Sequence, residues 1–446
     1  VNQYFRKGFG LLLVLFLLLG STSTIANQMA KFPQELRMVR GEWKEFQFLL
    51  PVWATATVQN PTVVHVNGST EQAVSLQLDR PLRLESHQQG NTRLTLKLFG
   101  TFPLKKLDIR VVPELKVIPG GQSIGVKLKA DGVLVVGHHQ VQTSQGPVTP
   151  AEKAKLQIGD YIIRANGKKI QSVQDMSSEI RKSGEAKKPI QLTIRRDKKE
   201  ITTQIGPALD AKEKQYRLGV YIRDSVAGVG TLTFYDPASK SYGALGHVIS
   251  DIDTGQPIEI GGGKVIHSSV TSIQKGESGE PGEKRAIFFR EDQVLGNINR
   301  NTPFGIFGKM DKTPDQGYQK EAVPIALREQ VKEGPAKILT VVEGQKVEEF
   351  DVQITHVTRQ NFPATKGLII KVTDKRLLEK TGGIVQGMSG SPILQDGKIV
   401  GAVTHVFVND PTSGYGTFIE WMLQDAGVIK QSADALGSAF SLSNKW

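Results

Sequence analysis

The chain contains no cysteine, and that absence excludes disulfides, thiol nucleophiles and cysteine-based zinc sites together. Its eight histidines never fall into H-E-x-x-H or another tight metal-ligand spacing, so no metal site is expected. No P-loop is present, and no cofactor is suggested. Zinc-finger and RNP-type aromatic motifs are missing too. A nucleic-acid partner would rest on charge alone and is not expected. Acidic residues are absent before Glu35.

What the front of the chain does carry is a basic and apolar segment. Arg6 and Lys7 precede "FGLLLVLFLLLG", and the small-residue run "STSTIA" follows. This is the grammar of an export signal, with cleavage expected after Ala26. Left uncut, Phe9 to Ala26 is barely long enough to span a bilayer. Residues 1–26 are therefore expected to be a signal peptide or signal anchor, and the protein to be exported. The absence of thiols is compatible with that. With 39% hydrophobic and 22% charged residues over 446 positions, the rest reads as globular and multidomain. A net charge of +12 favours anionic surfaces, membranes among them.

Residues 27–117 read as a small β domain. "EFQFLLPVWATATV", "AVSLQLD", "TRLTLKLFG" and "KKLDIRVV" are alternating or β-branched runs separated by Asn-Pro, Asn-Gly and Gln-Gly breaks. Residues 118–208 follow a different order. "SIGVKL" and "GVLVVGHH" read as strands, and a short helix begins after Pro150. Next come a Gly159-Asp160 turn, a strand and an Asn166-Gly167 hairpin turn. The run "SVQDMSSEIRKSG" predicts a helix capped by Ser172, with Val173, Met176 and Ile180 on one face. "PAEKAKLQIGD" and "IIRANGKKI" are its most specific parts, and this block resembles a PDZ domain. Such domains bind an extended peptide by strand addition and hold its terminal carboxylate on backbone N–H groups. By that resemblance Ser123, Ile124, Gly125 and Val126 form the carboxylate loop, and the helix from Val173 forms the other groove wall. Residues 181–200 carry eight Lys or Arg against three acids. A solvated face is the simple reading of that run, and membrane contact the alternative.

Residues 209–446 are again strand-rich, which favours closed or paired β-barrels. Here lies "GGIVQGMSGSPILQDGKIVGAV", with Ser389 in a glycine-lined turn ahead of Pro392. Acyl transfer by serine needs a base, a group to orient the base, and donors for the oxyanion. The N–H groups of Gly387 and Ser389 suit the last role. No S-x-x-K accompanies Ser389, so the base is expected to be histidine. His247, at a glycine-flanked strand end in "SYGALGHVISD", is the best placed, and His405 is most simply structural. For the orienting carboxylate, Asp251, Asp253, Asp292, Asp311, Asp315, Asp351 and Asp374 all lie between His247 and Ser389. A trypsin-like spacing favours Asp292. Asp374 ends the apolar run "GLIIKVTD". Spacing alone leaves the choice open.

The segments "YGALGHVISD", "GGGKVIHSSVTSIQKGESGEPGEKRAIFF", "NTPFGIFGKM" and "VTDKRLLEKTGGIVQGMSGSPILQDGKIVGAVTHVFVNDPTSGYGTFIEWML" stand behind the PDZ-like block. In that order they resemble the stage IV sporulation protein B serine peptidases of spore-forming Firmicutes. The likeness covers essentially the whole chain, and the PDZ-before-peptidase order sets it apart from the HtrA proteases. It implies a double-β-barrel, trypsin-like serine endopeptidase at 209–446 with a triad of His247, Asp374 and Ser389. It also implies export across the forespore membrane into the space between two membranes. Self-cleavage near the N-terminus would follow, then cleavage of a regulatory subunit of an intramembrane metalloprotease complex, activating a late sigma factor. Ala54-Thr55-Ala56-Thr57 is an expected self-cleavage region, although the same run reads equally as a strand. The alternative function is a non-catalytic PDZ-type protein that binds peptides or membranes.

Overall fold

The computed structural model describes residues 32–48, 51–289, 293–314, 317–360 and 362–429. The expected signal segment, and with it the candidate carboxylates Asp292 and Asp315, lie outside the described residues. The architecture is mainly β. Contacts divide the chain into two compact units, 1–115 and 116–446.

In the first unit a five-stranded sheet (Glu35–Val39, Phe102–Val112, Gly90–Leu98, Trp53–Val58, Ala73–Gln77) accompanies a three-stranded sheet (Trp43–Phe46, Leu82–Ser86, Val64–Val66). Period-two alternation drives this: in Trp53–Val58 every second residue is buried, and Ala54, Ala56 and Val58 join one apolar core with Leu84, Leu94 and Ile109. That strand is paired on both edges, with Ala73–Gln77 and with Gly90–Leu98. Ala54 to Thr57 is therefore an inner strand. A peptidase binds an extended chain with a free edge, so the self-cleavage expectation for this run does not fit the folded unit.

The second unit is organised by two long strands, β1 (Ser123–His138) and β2 (Val220–Asp236), which pair antiparallel along most of their length. The far half of β1 enters a small sheet with Tyr161–Ala165, Ile190–Arg196 and Lys199–Ile205. This sheet is covered by helix α1 (Val173–Glu185), capped as expected by the Ser172 side chain accepting from Asp175 N. The near half of β1 pairs instead with β4 (Ile260–Gln274), past the short strand β3 (Ser241–Ala244) that follows β2. Strand β5 (Glu283–Phe288) then returns along β4.

The last part closes a six-stranded barrel in the order β6 (Gly334–Val341), β7 (Val347–Val357), β8 (Leu368–Val372), β11 (Asp410–Phe418), β10 (Lys398–Phe407) and β9 (Pro392–Gln395). Helix α2 (Lys375–Thr381) follows β8, and α3 (Ile419–Asp425) ends the described chain. No described helix is long and apolar enough to cross a membrane.

Two expectations about the PDZ-like block change. Ser123, Ile124, Gly125 and Val126 are not a loop: they are buried in β1, bonded to β2 on one edge and, from Ile124 on, to β4 on the other. Their backbone groups are used by the ladders, so they cannot hold a peptide carboxylate. The edge of β1 that would receive an added strand already carries β2, and Asp224 of β2 accepts a hydrogen bond from Val173 N at the start of α1, 2.9 Å away. The basic run also proves partly paired. Arg195 binds Asp131 and Glu259, Arg196 binds the fully buried Asp160 at 2.7 Å, and Lys182 binds Glu179.

Candidate active site

The turn that carries Ser389 is built from its flanks inward. Helix α2 stops at Gly382, whose left-handed conformation caps it, and Ile384, Val385 and Met388 are buried beneath the turn. Gly390 has φ +95°, and a Cβ there would sit 2.1 Å from Thr231 O, so no other residue fits. The turn's carbonyls face the protein. Thr231 Oγ1 donates to Gly387 O at 2.7 Å, Thr231 N to Ser389 O at 3.0 Å, and Thr233 Oγ1 to Gly390 O at 2.7 Å. All three donors come from β2. The N–H groups of Gly387 and Ser389 make no hydrogen bond among the described residues. Two unspent donors beside a serine hydroxyl have the chemistry of an oxyanion site.

Ser389 Oγ donates to Thr404 O of β10 at 2.8 Å. The His247 loop packs on the same strand: a Cβ on Gly246 would lie 3.0 Å from Thr404 Cγ2 and 3.3 Å from Val403 O. The rings of His247 and His405 are 5.1 Å apart. His247 Nδ1 lies 2.8 Å from Val248 O. A carbonyl only accepts, so Nδ1 carries the proton and Nε2 keeps its lone pair, the tautomer a general base needs. Burial lowers the imidazole pKa below its ordinary value, with the Val248 bond opposing. His247 is therefore neutral at pH 7. No hydrogen bond joins it to Ser389.

Asp374 is engaged elsewhere. It caps α2, with Oδ1 accepting from Arg376 N (2.9 Å) and Oδ2 from Arg376 Nη2 (2.7 Å) and, more weakly, Asp351 N (3.3 Å). The Arg376 bond, with the backbone donors, holds its carboxyl below the usual range. The structure does not bring Asp374 to His247. Nor does another described carboxylate reach the ring: Asp251 and Asp253 are bound to Arg223. In place of a carboxylate, the Val248 carbonyl faces Nδ1.

The sequence reading missed Thr231, Thr233 and Thr404. Each is an ordinary strand residue whose role depends on a partner more than a hundred positions away or on a backbone carbonyl.

Residues 214–423 match the family described as SpoIVB peptidase S55, and residues 123–206 match the PDZ domain family. The first match contains His247, Asp374 and Ser389. The chain is a PDZ-containing serine peptidase whose peptidase region matches the SpoIVB S55 family. Among solved structures, the active form of the Rv3671c protease from M. tuberculosis is 14% identical, spanning 47% of this chain and 78% of that one at a TM-score of 0.27. The PDZ domain of an SdrC-like protein from Listeria monocytogenes is 21% identical, spanning 21% of this S55 peptidase and 87% of that chain at 0.17. Both likenesses are partial. The PDZ match begins at Ser123, so β1 serves both regions of this S55 peptidase: its far half lies in the PDZ sheet, while its near half is bonded to β4 within the peptidase match.

Proposed function

We propose that this S55 peptidase is an exported endopeptidase acting in sporulation, which cleaves itself and a regulatory subunit of an intramembrane metalloprotease complex. Ser389 is the nucleophile and His247 the base. Ser389 Oγ leaves Thr404 O, passes its proton to His247 Nε2 and attacks the substrate carbonyl, whose oxygen gains charge between the N–H groups of Gly387 and Ser389. The imidazolium then protonates the departing amine, and water repeats the sequence to release the acid. The Val248 carbonyl holds the tautomer at rest. Asp374, the orienting carboxylate implied by the family likeness, enters only if Arg376 releases it.

The observation that carries this reading is the nucleophile turn, where β2 holds the carbonyls inward and leaves two N–H groups unspent beside a serine. The family name supports sporulation, and the apolar N-terminus supports export into the space between two membranes, where the basic charge suits contact with an anionic surface. Self-cleavage belongs outside the inner strand at Ala54–Thr57. The test is intact mass after incubation of wild type and S389A. Self-cleavage in wild type alone supports the reading. Identical fragments in both proteins, with no Ser389 labelling by a fluorophosphonate, overturn it.

A further inference from the structure

Beneath the nucleophile turn lies a lysine that the chemistry above leaves unused. Lys284, near the start of β5, is 1% exposed. Its Nζ donates to Thr340 Oγ1 of β6 at 2.7 Å and makes no ion pair among the described residues. The stem runs against Gly387: a Cβ built there would lie 3.1, 3.3 and 3.4 Å from Lys284 Cβ, Cδ and Cγ. The backbones are laced as well, with Lys284 N donating to Gln386 O at 2.9 Å and Gln386 N to Gly282 O at 2.7 Å.

An ammonium brings three donors, and this one has a single acceptor. Burying a charge without a partner is costly, and a hydrophobic side chain would fill the same space more cheaply. Beyond the Thr340 hydroxyl, no described residue offsets that cost. Strand β4 sets Ile273 opposite Lys284, β6 brings Thr340, and the turn brings Gln386 and Gly387. The charged neighbours Glu283 and Arg285 are exposed on the other face of β5, where Arg285 binds Gln274. Burial pushes the Lys284 amine down to about 7. A costly buried titratable group in contact with reactive machinery is a functional signal.

We propose that Lys284 is a positioning residue for the oxyanion donors: its stem seats Gly387, its neutral amine is tethered to Thr340, and a proton gained there loosens the turn. An ammonium with two unmet donors competes for the carbonyls of Gln386 and Gly387, which Lys284 N and Thr231 now hold. This rests on the reading of Gly387 and Ser389 as the reacting turn.

The test is the rate at which a fluorophosphonate labels the full chain between pH 5.5 and 9, with Ser389 Oγ displacing fluoride from phosphorus. The wild-type rate is expected to rise roughly tenfold from pH 6 to 8, as an amine with a pKa of about 7 predicts. Burial lowers the His247 imidazole pKa below its ordinary value, and that titration is common to wild type and K284M, so the difference between the two profiles isolates the amine. K284M keeps an unbranched stem without the amine; it should be nearly flat over the same interval and several-fold slower at pH 8. K284A, which empties the space under Gly387, should be slower by about tenfold or more at every pH, since a lost oxyanion donor costs at least that much. Circular dichroism confirms that both variants fold. An unchanged inflection near pH 7 in K284M, or K284A labelled as fast as wild type, overturns the proposal. Labelling that persists in S389A overturns the underlying reading instead, so the two failures are distinguishable.

Discussion

Replacing Lys284 with methionine should stabilise the peptidase, and by an amount that depends on pH. The lysine has a pKa of 10.5 when exposed in the unfolded chain and about 7 in the folded one. Each tenfold in proton affinity is worth about 1.4 kcal/mol, so the full difference is on the order of 5 kcal/mol. The sign follows from proton counting. Between pH 7 and 10.5 the unfolded chain holds a proton that the folded chain has lost, so stability rises with pH across that window. Below pH 7 both states are protonated and the penalty is constant at its maximum. Above 10.5 it vanishes. Against it stands the bond to Thr340, whose loss leaves a buried hydroxyl unpaired at a cost of about 1–3 kcal/mol. K284M should therefore be more stable than wild type by about 2–4 kcal/mol at pH 6, and no more stable, or slightly less, at pH 10. Urea denaturation at pH 6, 8 and 10 reads this directly, followed by Trp421, which is 3% exposed and bonded to Gln360, in a W43F/W53F/W446F background. A difference that does not change with pH, or a K284M protein less stable at pH 6, would refute the placement of Lys284 as a buried amine without a counter-charge.

Other residues give sharper readings of the site. D374N separates two roles. If Asp374 only caps α2, asparagine caps as well and fluorophosphonate labelling should fall less than about threefold, whereas a carboxylate that orients His247 during turnover costs about 10⁴-fold. The resting geometry predicts the small effect, and a loss above a thousandfold would show that Arg376 releases Asp374 during catalysis. T231V leaves Gly387 O unpaired at about 1–3 kcal/mol; labelling should slow at least tenfold, and an unchanged rate would remove β2 from the control of the turn. G390A drives a Cβ to 2.1 Å from Thr231 O at φ +95°, and the purified variant should show a thermal midpoint lowered by several degrees or fail to fold; a midpoint equal to wild type would contradict the packing described.

Local signals carried well where one segment decides its own conformation. Ser172 before an apolar-faced run gave the α1 cap, and the glycines around Ser389 gave its left-handed turn, because caps and left-handed turns are settled within a few residues. The signal failed where a distant partner decides. "SIGVKL" has the same strand character whether its edges are free or covered, and only β2 and β4, arriving roughly 100 and 140 residues later, take those edges. Lys284 shows the same limit. "EKRAIFF" alternates as an edge strand would, and nothing in it says that this lysine faces inward while Glu283 and Arg285 face out until β6 and the turn close over it.

The position of β2 ties the two regions together more tightly than a linker could. Its first half fills the β1 edge that a PDZ ligand would use and touches α1 through Asp224. Its second half, only seven residues on, supplies Thr231 and Thr233 to the turn that holds Ser389. A peptide can add to β1 only by displacing β2. Two paired strands resist continuous deformation, so such displacement is transmitted along β2 rather than absorbed locally. The carbonyls of Gly387, Ser389 and Gly390 then lose their partners, and the N–H groups of Gly387 and Ser389 lose their fixed aim. Peptide addition at that edge and an ordered Ser389 turn are therefore competing states of one strand. A ligand that activates this peptidase through its PDZ region must bind where β2 stays in place, against α1 or the outer strand Lys199–Ile205.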